Sequence, residues 1–450
     1  MNDTIVAIST TMGVGAISIV RLSGKEAISI VNKCFKGKDL EQVATHTINY
    51  GHIYDENDLI DEVLVSVMKG PRSFTAEDIV EINCHGGIIT TNRILETMLN
   101  NGARLAEPGE FTKRAFLNGR IDLVKSEAVM DLIESKSDEA RKIALQQISG
   151  KTSSLITNFR DTLKQLLSSI EVNIDYPEYY DIEVMTVEKI KEQVAKMKKE
   201  LENLVKESEN TVTIKNGIKT VIIGKPNVGK SSILNKLLEQ DKAIVTDIAG
   251  TTRDIVEGEI YLDGVLLNII DTAGIRATED IVEKIGVEKS LSMIDEADLV
   301  IVVLNINEKL TEEDKEILEK TADKTRIVVL NKNDLSKELE LPRNVDNIVE
   351  TNTTDLEGIK ALKEKIKELF NLEKIATKDY TYLTNSRQIS LAKQAYKNLL
   401  DAEASINANQ PVDMIEIDLK ECFDNLGEII GATYSDEIID NLFENFCVGK

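Results

Sequence analysis

The sequence predicts a multidomain fold of α+β and α/β type: an N-terminal α+β domain, an all-α helical domain, and an α/β domain inserted into the helical one. Three observations support this prediction. Short β-type runs and helical stretches mix in the first quarter of the chain, helical apolar spacing follows, and strands then alternate with helices. Helical spacing resumes towards the C-terminus, as an insertion requires. We place the domains at 1–118, at 119–213 together with 376–450, and at 214–375.

The composition is that of a globular, strongly acidic protein. Apolar residues make up 42% and charged residues 29% of the 450 residues, and the formal net charge at pH 7 is −24. This charge disfavours wrapping of nucleic acid by bulk attraction, so an RNA partner needs a local basic patch or a second protein. The four cysteines are widely spaced and indicate neither a zinc knuckle nor a disulfide framework. Without a signal-like N-terminus or a long apolar stretch, we expect a cytoplasmic protein with no stable membrane insertion.

The α+β prediction for the N-terminal domain depends on four apolar runs and one helical stretch. The helix is expected at 90–100, and the strands are expected at TIVAIS, AISIVRL, EVLVSVM and DIVEINC.

The helical domain is predicted from apolar side chains that recur every three or four residues on either side of Tyr176-Pro177. They mark one helix within 155–170 and a second within 187–205. Lys and Glu fill most other positions of the second helix, which is typical of the solvated face of a bundle. Ser435 is expected to cap a last helix near the C-terminus.

The inserted domain is predicted to contain a mostly parallel sheet, and its first strand leads into a phosphate-binding loop. Its short apolar runs lie at 220–223, 265–270, 299–304 and 326–330. The octet GKPNVGKS, from Gly224 to Ser231, fits GxxxxGK[ST]. Its glycines allow backbone N–H groups to face a β-phosphate, Lys230 reaches the β- and γ-phosphates, and Ser231 ligates Mg²⁺.

Two later motifs identify the nucleotide. The DTAG motif begins at Asp271, 40 residues after Ser231, where a carboxylate can reach the Mg²⁺ shell. The NKND motif begins 100 residues after Ser231, and its Asp334 can accept hydrogen bonds from the N1–H and the amino group of guanine. Adenine presents no such pair of donors, and a site built for guanine leaves a buried charge unpaired with the wrong base. The sequence therefore predicts a P-loop, Ras-like G domain that hydrolyses GTP.

The loop 247–254 supplies a threonine pair suited to closing over Mg²⁺ and the γ-phosphate, although an ordinary connection between helix and strand is the alternative. Ile275 occupies the position where many GTPases carry a water-orienting glutamine, so another group must polarise the water. The residues predicted to contact GTP are Asn227, Val228, Gly229, Lys230, Ser231, Ser232, Thr246, Asp247, Ile248, Ala249, Gly250, Thr251, Thr252, Asp271, Thr272, Ala273, Gly274, Asn331, Lys332 and Asp334.

With GKPNVGKS, DIAGTTRD, DTAGIR and NKND in place, the chain resembles the MnmE (TrmE) family of tRNA modification GTPases. The start TIVAIST, the stretch PGEFTKRAFLNGRIDL and the terminus FCVGK extend the resemblance from end to end. The resemblance implies a homodimer whose N-terminal domain binds tetrahydrofolate in its 5,10-methylene or 5-formyl form. It also implies an FAD-dependent partner of the MnmG (GidA) type, in a heterotetramer or larger assembly. Together they would add an aminomethyl or carboxymethylaminomethyl group to C5 of the wobble uridine, position 34, of certain tRNAs.

The resemblance also implies how GTP is hydrolysed. A K⁺ ion would replace an arginine finger, with oxygen ligands from Asn227, Thr246, Ile248 and Thr251, and Mg²⁺ would be held by Ser231 and Thr252. Catalytic roles in hydrolysis would fall to Asn227, Lys230 and Glu283, whereas the catalytic role of Cys447 would lie beside the folate site. Glu283 matches the residue that positions water, and the alternative is a surface residue of a switch helix.

For folate, Arg21, Glu81 and Arg120 match positions that contact the cofactor, and Lys450 approaches it from the helical domain. A carboxylate suits the donor-rich pterin edge, and cations suit the glutamate tail. Cys447 by itself would be a small buried core residue. Its place in the terminal motif leaves nucleophile, general acid and packing open.

One departure and two alternatives remain. The Ser-Ala-Lys that supports guanine in relatives is not evident at 348–352, so backbone groups there must support the base, or base affinity is weaker. A regulatory GTPase switch in ribosome assembly or stress signalling would carry the same G domain. The N-terminal domain and the FCVGK terminus favour tRNA modification instead. A bundle with a vestigial G domain is disfavoured because the phosphate and guanine motifs are complete except near 350.

Overall fold

The computed structural model describes residues 3–175, 187–240, 258–262, 265–270, 294–352, 356–370 and 382–449. By its contacts the chain divides into two compact units. The first comprises Met1–Met130, Ile148–Ile182 and Glu416–Lys450, and the second comprises Asp131–Gln147 and Glu183–Ile415. These units are not the predicted domains, whose boundaries stay a prediction.

A seven-stranded sheet with two helices forms the N-terminal part of the first unit. The elements are β1 (Ile5–Ile8), β2 (Ile17–Ser23), α1 (Ala27–Cys34), β3 (Phe35–Lys36), β4 (Thr47–Asp55), β5 (Asp58–Met68), β6 (Ile79–His85), α2 (Ile88–Asn100) and β7 (Arg104–Leu105). The strand order is β3-β4-β5-β6-β2-β1-β7, and all neighbours are antiparallel except β1 and β7. The α+β prediction is confirmed.

One face of this sheet is covered and the other is open over β4 and β5. In β5 the side chains of Val63, Val65 and Val67 are buried, whereas Leu64 between them is exposed. Both α1 and α2 pack on the buried face, because alternate residues of a strand point to opposite sides.

The described residues that follow, at 110–175 and 187–216, form helices and no strand. They are α3 (Glu110–Leu117), α4 (Leu123–Glu134), α5 (Asp138–Ile148), α6 (Lys151–Asp175) and α7 (Val187–Asn216). Both helices predicted around Tyr176-Pro177 are present, as α6 and α7. In the part of the chain that the structure covers, no helix has both the length and the apolar character needed to cross a membrane.

The second unit contains a six-stranded sheet. Its elements are β8 (Ile218–Ile223), α8 (Lys230–Gln240), β9 (Gly258–Leu262), β10 (Val265–Ile269), β11 (Leu299–Asn305), α9 (Glu312–Lys320), β12 (Arg326–Asn331), β13 (Ile348–Glu350) and α10 (Leu356–Leu369). The order is β13-β12-β11-β8-β10-β9, with parallel neighbours except for the antiparallel edge strand β9. The mostly parallel sheet is confirmed, and the four predicted runs are β8, β10, β11 and β12. Every residue of β11 and β12 is buried, which is why both read as continuous apolar runs.

The chain ends in three helices, α11 (Ser386–Asn407), α12 (Val412–Ile430) and α13 (Asp436–Glu444). Ser435 caps α13 as predicted, since its hydroxyl accepts a hydrogen bond of 3.4 Å from the Ile438 N–H. Within the first unit, Phe443 of α13 and Phe446 after it pack into an apolar cluster with Phe116 of α3. This cluster fixes the position of the C-terminal tail.

Candidate functional site

The P-loop joins the buried strand β8 to the N-terminus of α8, as its octet predicts. Gly224 has φ +149°, and a Cβ there would lie 2.3 Å from the Val303 carbonyl oxygen of β11, so only glycine fits. Asn227 and Gly229 also have positive φ, +61° and +100°. Residues of opposite φ sign alternate through such a loop, which turns successive N–H groups to one side and makes a concave anion site.

The predicted phosphate-binding lysine lies against this loop. The Lys230 ammonium donates hydrogen bonds of 2.8 Å to the carbonyl oxygens of both Gly224 and Lys225. Val228 is buried, Ser231 is half-buried, and Asn227 and Ser232 are exposed. The charge of Lys230 is therefore held at the loop together with the positive end of the α8 dipole.

The NKND motif lies beside the P-loop. Asn331 ends β12, and its side-chain amide donates a buried hydrogen bond of 2.7 Å to the Val228 carbonyl oxygen. Lys332 has φ +64°, which turns the chain out of the strand, and Asp334 is exposed two residues later. The structure thus brings the predicted guanine motif and the predicted phosphate loop together.

The segment after β13 is bonded to the same motif, which the sequence did not reveal. Thr351 accepts a hydrogen bond of 3.1 Å from the Asn333 N–H through its carbonyl, and its hydroxyl donates to Asn331 Oδ1 at 3.3 Å. The Asn352 side chain donates to Asn333 Oδ1 at 2.9 Å. Thr351 and Asn352 are polar and directly follow β13. That position in the sequence could have indicated that they bond to the NKND motif.

Several predicted site residues lie outside the described residues. They are Thr246, Asp247, Ile248, Ala249, Gly250, Thr251, Thr252, Asp271, Thr272, Ala273, Gly274, Glu283 and Lys450.

In the first unit, two of the predicted folate residues, Arg21 and Glu81, lie together at the C-terminal tail. Arg21 of β2 and Glu81 of β6 are cross-strand neighbours, and their side chains form an ion pair of 2.8 Å. Arg21 Nη1 also donates to the Gly449 carbonyl oxygen at 3.0 Å, as does the Ser9 hydroxyl at 3.2 Å. Both members of the ion pair are half-buried, so they remain accessible to a ligand.

Aromatic rings complete this region. The Arg21 guanidinium lies 5.7 Å from the ring centroid of Phe111, and that of Arg120 lies 5.1 Å from the ring of Phe74. Phe74 and Phe111 belong to one apolar cluster. Arg21 and Arg120 therefore contact a shared aromatic surface.

The tail itself is closely docked. Gly449 has φ +88°, and a Cβ there would lie 2.6 Å from the Ile8 carbonyl oxygen. The Gly109 N–H donates to the Cys447 carbonyl oxygen at 3.3 Å, yet the Cys447 residue is exposed. The interpretation of Cys447 as a buried core residue was therefore wrong, because the tail is docked through Phe446 and Gly449 and leaves Cys447 exposed.

Helix α3, which carries Phe111, is anchored by a buried charge network. Arg114 is 1% exposed and pairs with Glu110 at 2.9 Å and with Glu77 at 3.2 Å. Arg104 pairs with Glu110 as well, at 2.6 Å. Burial alone would raise the pKa of Glu110, but hydrogen bonds from Arg104, the Glu107 N–H and Arg114 together lower it below its ordinary value.

Comparisons with known proteins agree with this organisation. A family model described as the GTP-binding protein TrmE N-terminus matches residues 4–120, and one described as the MnmE helical domain matches residues 123–447. The chain is 52% identical over 455 residues to the tRNA modification GTPase MnmE of Ligilactobacillus salivarius, covering 100% of this chain and 98% of that one. It is also 52% identical to proteins of the same name from Lactococcus lactis subsp. cremoris strain SK11, over 448 residues, and Staphylococcus haemolyticus, over 456 residues. These cover 100% of this chain and 98% and 99% of theirs.

Among solved structures, the G domain of the T. maritima FeoB iron transporter is similar over 34% of this chain and 98% of that chain. The identity is 27% and the TM-score 0.24, a likeness too slight to bear on function. The two family models and the full-length relatives give a consistent answer. The chain belongs to the MnmE family of tRNA modification GTPases.

Proposed function

We propose that this chain hydrolyses GTP at the P-loop between β8 and α8 and couples hydrolysis to the modification of tRNA. One observation carries the proposal: the hydrogen bond from Asn331 to the Val228 carbonyl joins a guanine motif to a phosphate loop. Asp334 would accept two hydrogen bonds from guanine, and Lys230 would contact the β- and γ-phosphates. Membership of the MnmE family supports the link to tRNA.

The modification we propose adds an aminomethyl or carboxymethylaminomethyl group to C5 of the wobble uridine, position 34, of certain tRNAs. An FAD-dependent partner of the MnmG (GidA) type would share the reaction, in a heterotetramer or larger assembly. The net charge of −24 supports a division of labour in which the partner holds most of the tRNA.

The proposed homodimer is supported by the open face of the N-terminal sheet. Ile48 and Tyr50 of β4 and Leu64 of β5 are exposed, and Tyr50 and Leu64 are direct cross-strand neighbours. A contiguous exposed apolar patch is typical of a protein interface. Sedimentation equilibrium of the purified chain tests this proposal, and a monomer at micromolar concentration would contradict it.

The residues at the P-loop fit the two proposed cations. Asn227 is exposed, so its side-chain oxygen is accessible to K⁺, and Ser231 in the first turn of α8 carries a hydroxyl suited to Mg²⁺. The other proposed ligands, Thr246, Ile248 and Thr251 for K⁺ and Thr252 for Mg²⁺, lie outside the described residues. Bound beside the phosphates, K⁺ would neutralise charge that develops during transfer.

Glu283 is proposed to position the attacking water. It would take the role of the water-orienting glutamine of many GTPases, whose position Ile275 occupies in this chain. Both residues lie outside the described part of the chain, and the support is the family resemblance alone. Substitution Glu283→Gln should slow hydrolysis without changing GTP affinity, and an unchanged rate would contradict the assignment.

A tetrahydrofolate site is proposed at Arg21, Glu81, Arg120 and Lys450. Its support is the half-buried ion pair beside the docked tail and the aromatic surface under both arginines. Glu81 would bind the pterin edge, and the arginines would favour the glutamate tail. Equilibrium binding of 5-formyltetrahydrofolate to a Glu81→Gln variant tests this, and unchanged affinity would contradict it.

Cys447 remains a candidate nucleophile or general acid, and its exposure beside Gly449 supports access to a substrate. The three-domain layout, with boundaries at 1–118, 119–213 with 376–450, and 214–375, belongs to the same proposal. Limited proteolysis tests the layout, since cleavage is expected in the exposed turn at 118–119 and near 375 rather than inside the sheets.

The function as a whole is tested by reconstitution. The purified chain, the FAD-dependent partner, tRNA, GTP, KCl and methylene-folate are combined with an amine donor, either ammonium or glycine, and the tRNA is digested to nucleosides. Modified wobble uridine should form only when both this chain and hydrolysable GTP are present. Equal product without this chain would contradict the proposal and favour a regulatory switch.

A further inference from the structure

An ion pair ties the P-loop to a helix that follows a neighbouring strand. Lys225 Nζ lies 2.9 Å from Asp314 Oδ2, and Asp314 lies in the first turn of α9, after β11. The two side chains are only 14% and 4% exposed. Glu308 is also close, with Oε2 at 3.6 Å from the same ammonium, but it is 46% exposed. Asp314 is therefore the nearer and better shielded partner.

Asp314 is fixed in place by its own helix. Its Oδ2 accepts hydrogen bonds from the Thr311 N–H at 3.0 Å and the Thr311 hydroxyl at 2.8 Å, in a capping box. Its other oxygen, Oδ1, is buried and accepts no hydrogen bond from the described residues. A buried carboxylate is costly unless paired, so this side chain depends strongly on the donors at Oδ2.

Lys225, in turn, contacts the predicted phosphate-binding lysine. Its carbonyl oxygen accepts one of the two hydrogen bonds of 2.8 Å from the Lys230 ammonium. Two residues later, Asn227 lies at φ +61°, in the left-handed region that asparagine adopts more readily than most residues other than glycine. Anchoring the Lys225 side chain therefore restrains the backbone on both sides of the loop.

The Lys225 side chain is kept charged in this setting. Burial alone would lower its pKa, but the hydrogen bonds and charges of Asp314 and Glu308 outweigh burial and raise that pKa above its ordinary value. The pair is thus a charge-assisted contact at neutral pH, the stronger class of hydrogen bond.

We propose that Asp314 is a positioning residue for the nucleotide, which acts through Lys225 to hold the P-loop in the conformation that receives the diphosphate. The inference rests on the proposed GTP site. It adds to that site a residue outside the four motifs GKPNVGKS, DIAGTTRD, DTAGIR and NKND. A loop already in its bound shape loses less conformational entropy on binding, so affinity depends on the anchor.

The test is a double-mutant cycle on the affinity for a fluorescent GDP analogue, in the full-length chain. Asp314→Asn and Lys225→Met should each weaken binding about 10-fold, the loss expected for one charged hydrogen bond. The double variant should bind no more weakly than the weaker single variant, because both changes remove the same contact. If Asp314 only caps α9, the loss of affinity caused by Asp314→Asn should instead add to that of Lys225→Met in the double variant.

The matched control is Glu308→Gln, which removes an equal charge near the same ammonium but at an exposed position. It should change affinity less than about 2-fold. Additive losses of affinity in the double variant would overturn the role of Asp314 but not the proposed GTP site. Wild-type affinity in both single variants would do the same. If Asp314→Asn does not fold, the affinities of Lys225→Met and Glu308→Gln for the GDP analogue are compared instead. Equal affinities in these two variants would overturn the proposed role of the Lys225–Asp314 pair. Absence of GDP binding by the wild-type chain would overturn the proposed function as well.

Discussion

The Asn331 side chain donates a hydrogen bond of 2.7 Å to the Val228 carbonyl oxygen, across 103 residues of sequence. Asn331 is 1% exposed, and its own oxygen accepts from the Thr351 hydroxyl. The amide therefore links three segments: the P-loop, the end of β12 and the segment after β13. The base and phosphate halves of the site are held as one unit.

Asn331→Ala should lower both stability and nucleotide affinity. It leaves the buried Val228 carbonyl without its donor, a loss of about 1–3 kcal/mol in the free energy of unfolding. Urea denaturation and GDP binding measure the two effects. The control is Asn352→Ala, which removes a more exposed hydrogen bond and should cost less than about 0.5 kcal/mol. Equal losses in both variants would argue against a special role for Asn331.

Asp334→Asn should weaken the binding of GTP and allow xanthosine triphosphate to bind in its place. The carboxylate is matched to two donors of guanine, whereas an amide can donate to the oxygen that xanthine presents there. Hydrolysis rates with both nucleotides provide the measurement. A variant that still prefers GTP by the wild-type margin would remove Asp334 from the guanine site.

Hydrolysis should be faster in KCl than in NaCl at equal ionic strength, and Asn227→Ala should abolish the difference. The reason is the proposed K⁺ ligation by the exposed Asn227 side chain, with the cation stabilising charge in the transition state. Asn235→Ala, which makes the same substitution at an exposed residue of α8 outside the predicted GTP contacts, serves as the control. Equal rates of the wild-type chain in the two salts would contradict the K⁺ mechanism.

The Glu110 network should make the N-terminal domain sensitive to acid. Because the pKa of Glu110 is lowered below its ordinary value of 4.5, this stabilisation is present above about pH 4.5 and is lost as the pH falls through the folded-state value. Glu110→Gln should cost about 1–3 kcal/mol at pH 7, because Arg104 and the buried Arg114 each lose a charged partner while Asp3 and Glu77 still pair with Arg114. It should also flatten the loss of stability at low pH.

Thermal unfolding between pH 3 and pH 7 measures both effects. Asp440→Asn, which removes an exposed partner of Lys113, is the control and should shift stability by less than about 0.5 kcal/mol. If the stability of Glu110→Gln falls with decreasing pH as steeply as that of the wild-type chain, Glu110 is not the source of the acid sensitivity.

Local pattern predicted much of the fold. The run at 299–304 is β11 and that at 326–330 is β12, because strands buried on both faces contain apolar residues throughout. The short edge strand β9 was missed, since only alternate residues, Ile260 and Leu262, are buried in it.

The contacts that sequence could not predict are long-range. Asp314 lies in the acidic run EEDKE, where local pattern predicts a solvated helix, yet it is 3% exposed because Thr311 and Lys225 surround it. Cys447 shows the reverse: apolar neighbours predict burial, and the docked tail leaves it exposed. In both cases packing between distant segments decides, which periodicity does not encode.

The most direct test of the central claim is nucleoside analysis of bulk tRNA from cells that lack this chain, complemented with either the wild-type or the Lys230→Ala form. We expect the C5 side group of wobble uridine to disappear in the deletion strain. Only the wild-type chain should restore it when both forms are present in equal amounts. Unchanged wobble uridine in the deletion strain, or full restoration by Lys230→Ala, would contradict the claim that GTP hydrolysis by this chain drives tRNA modification.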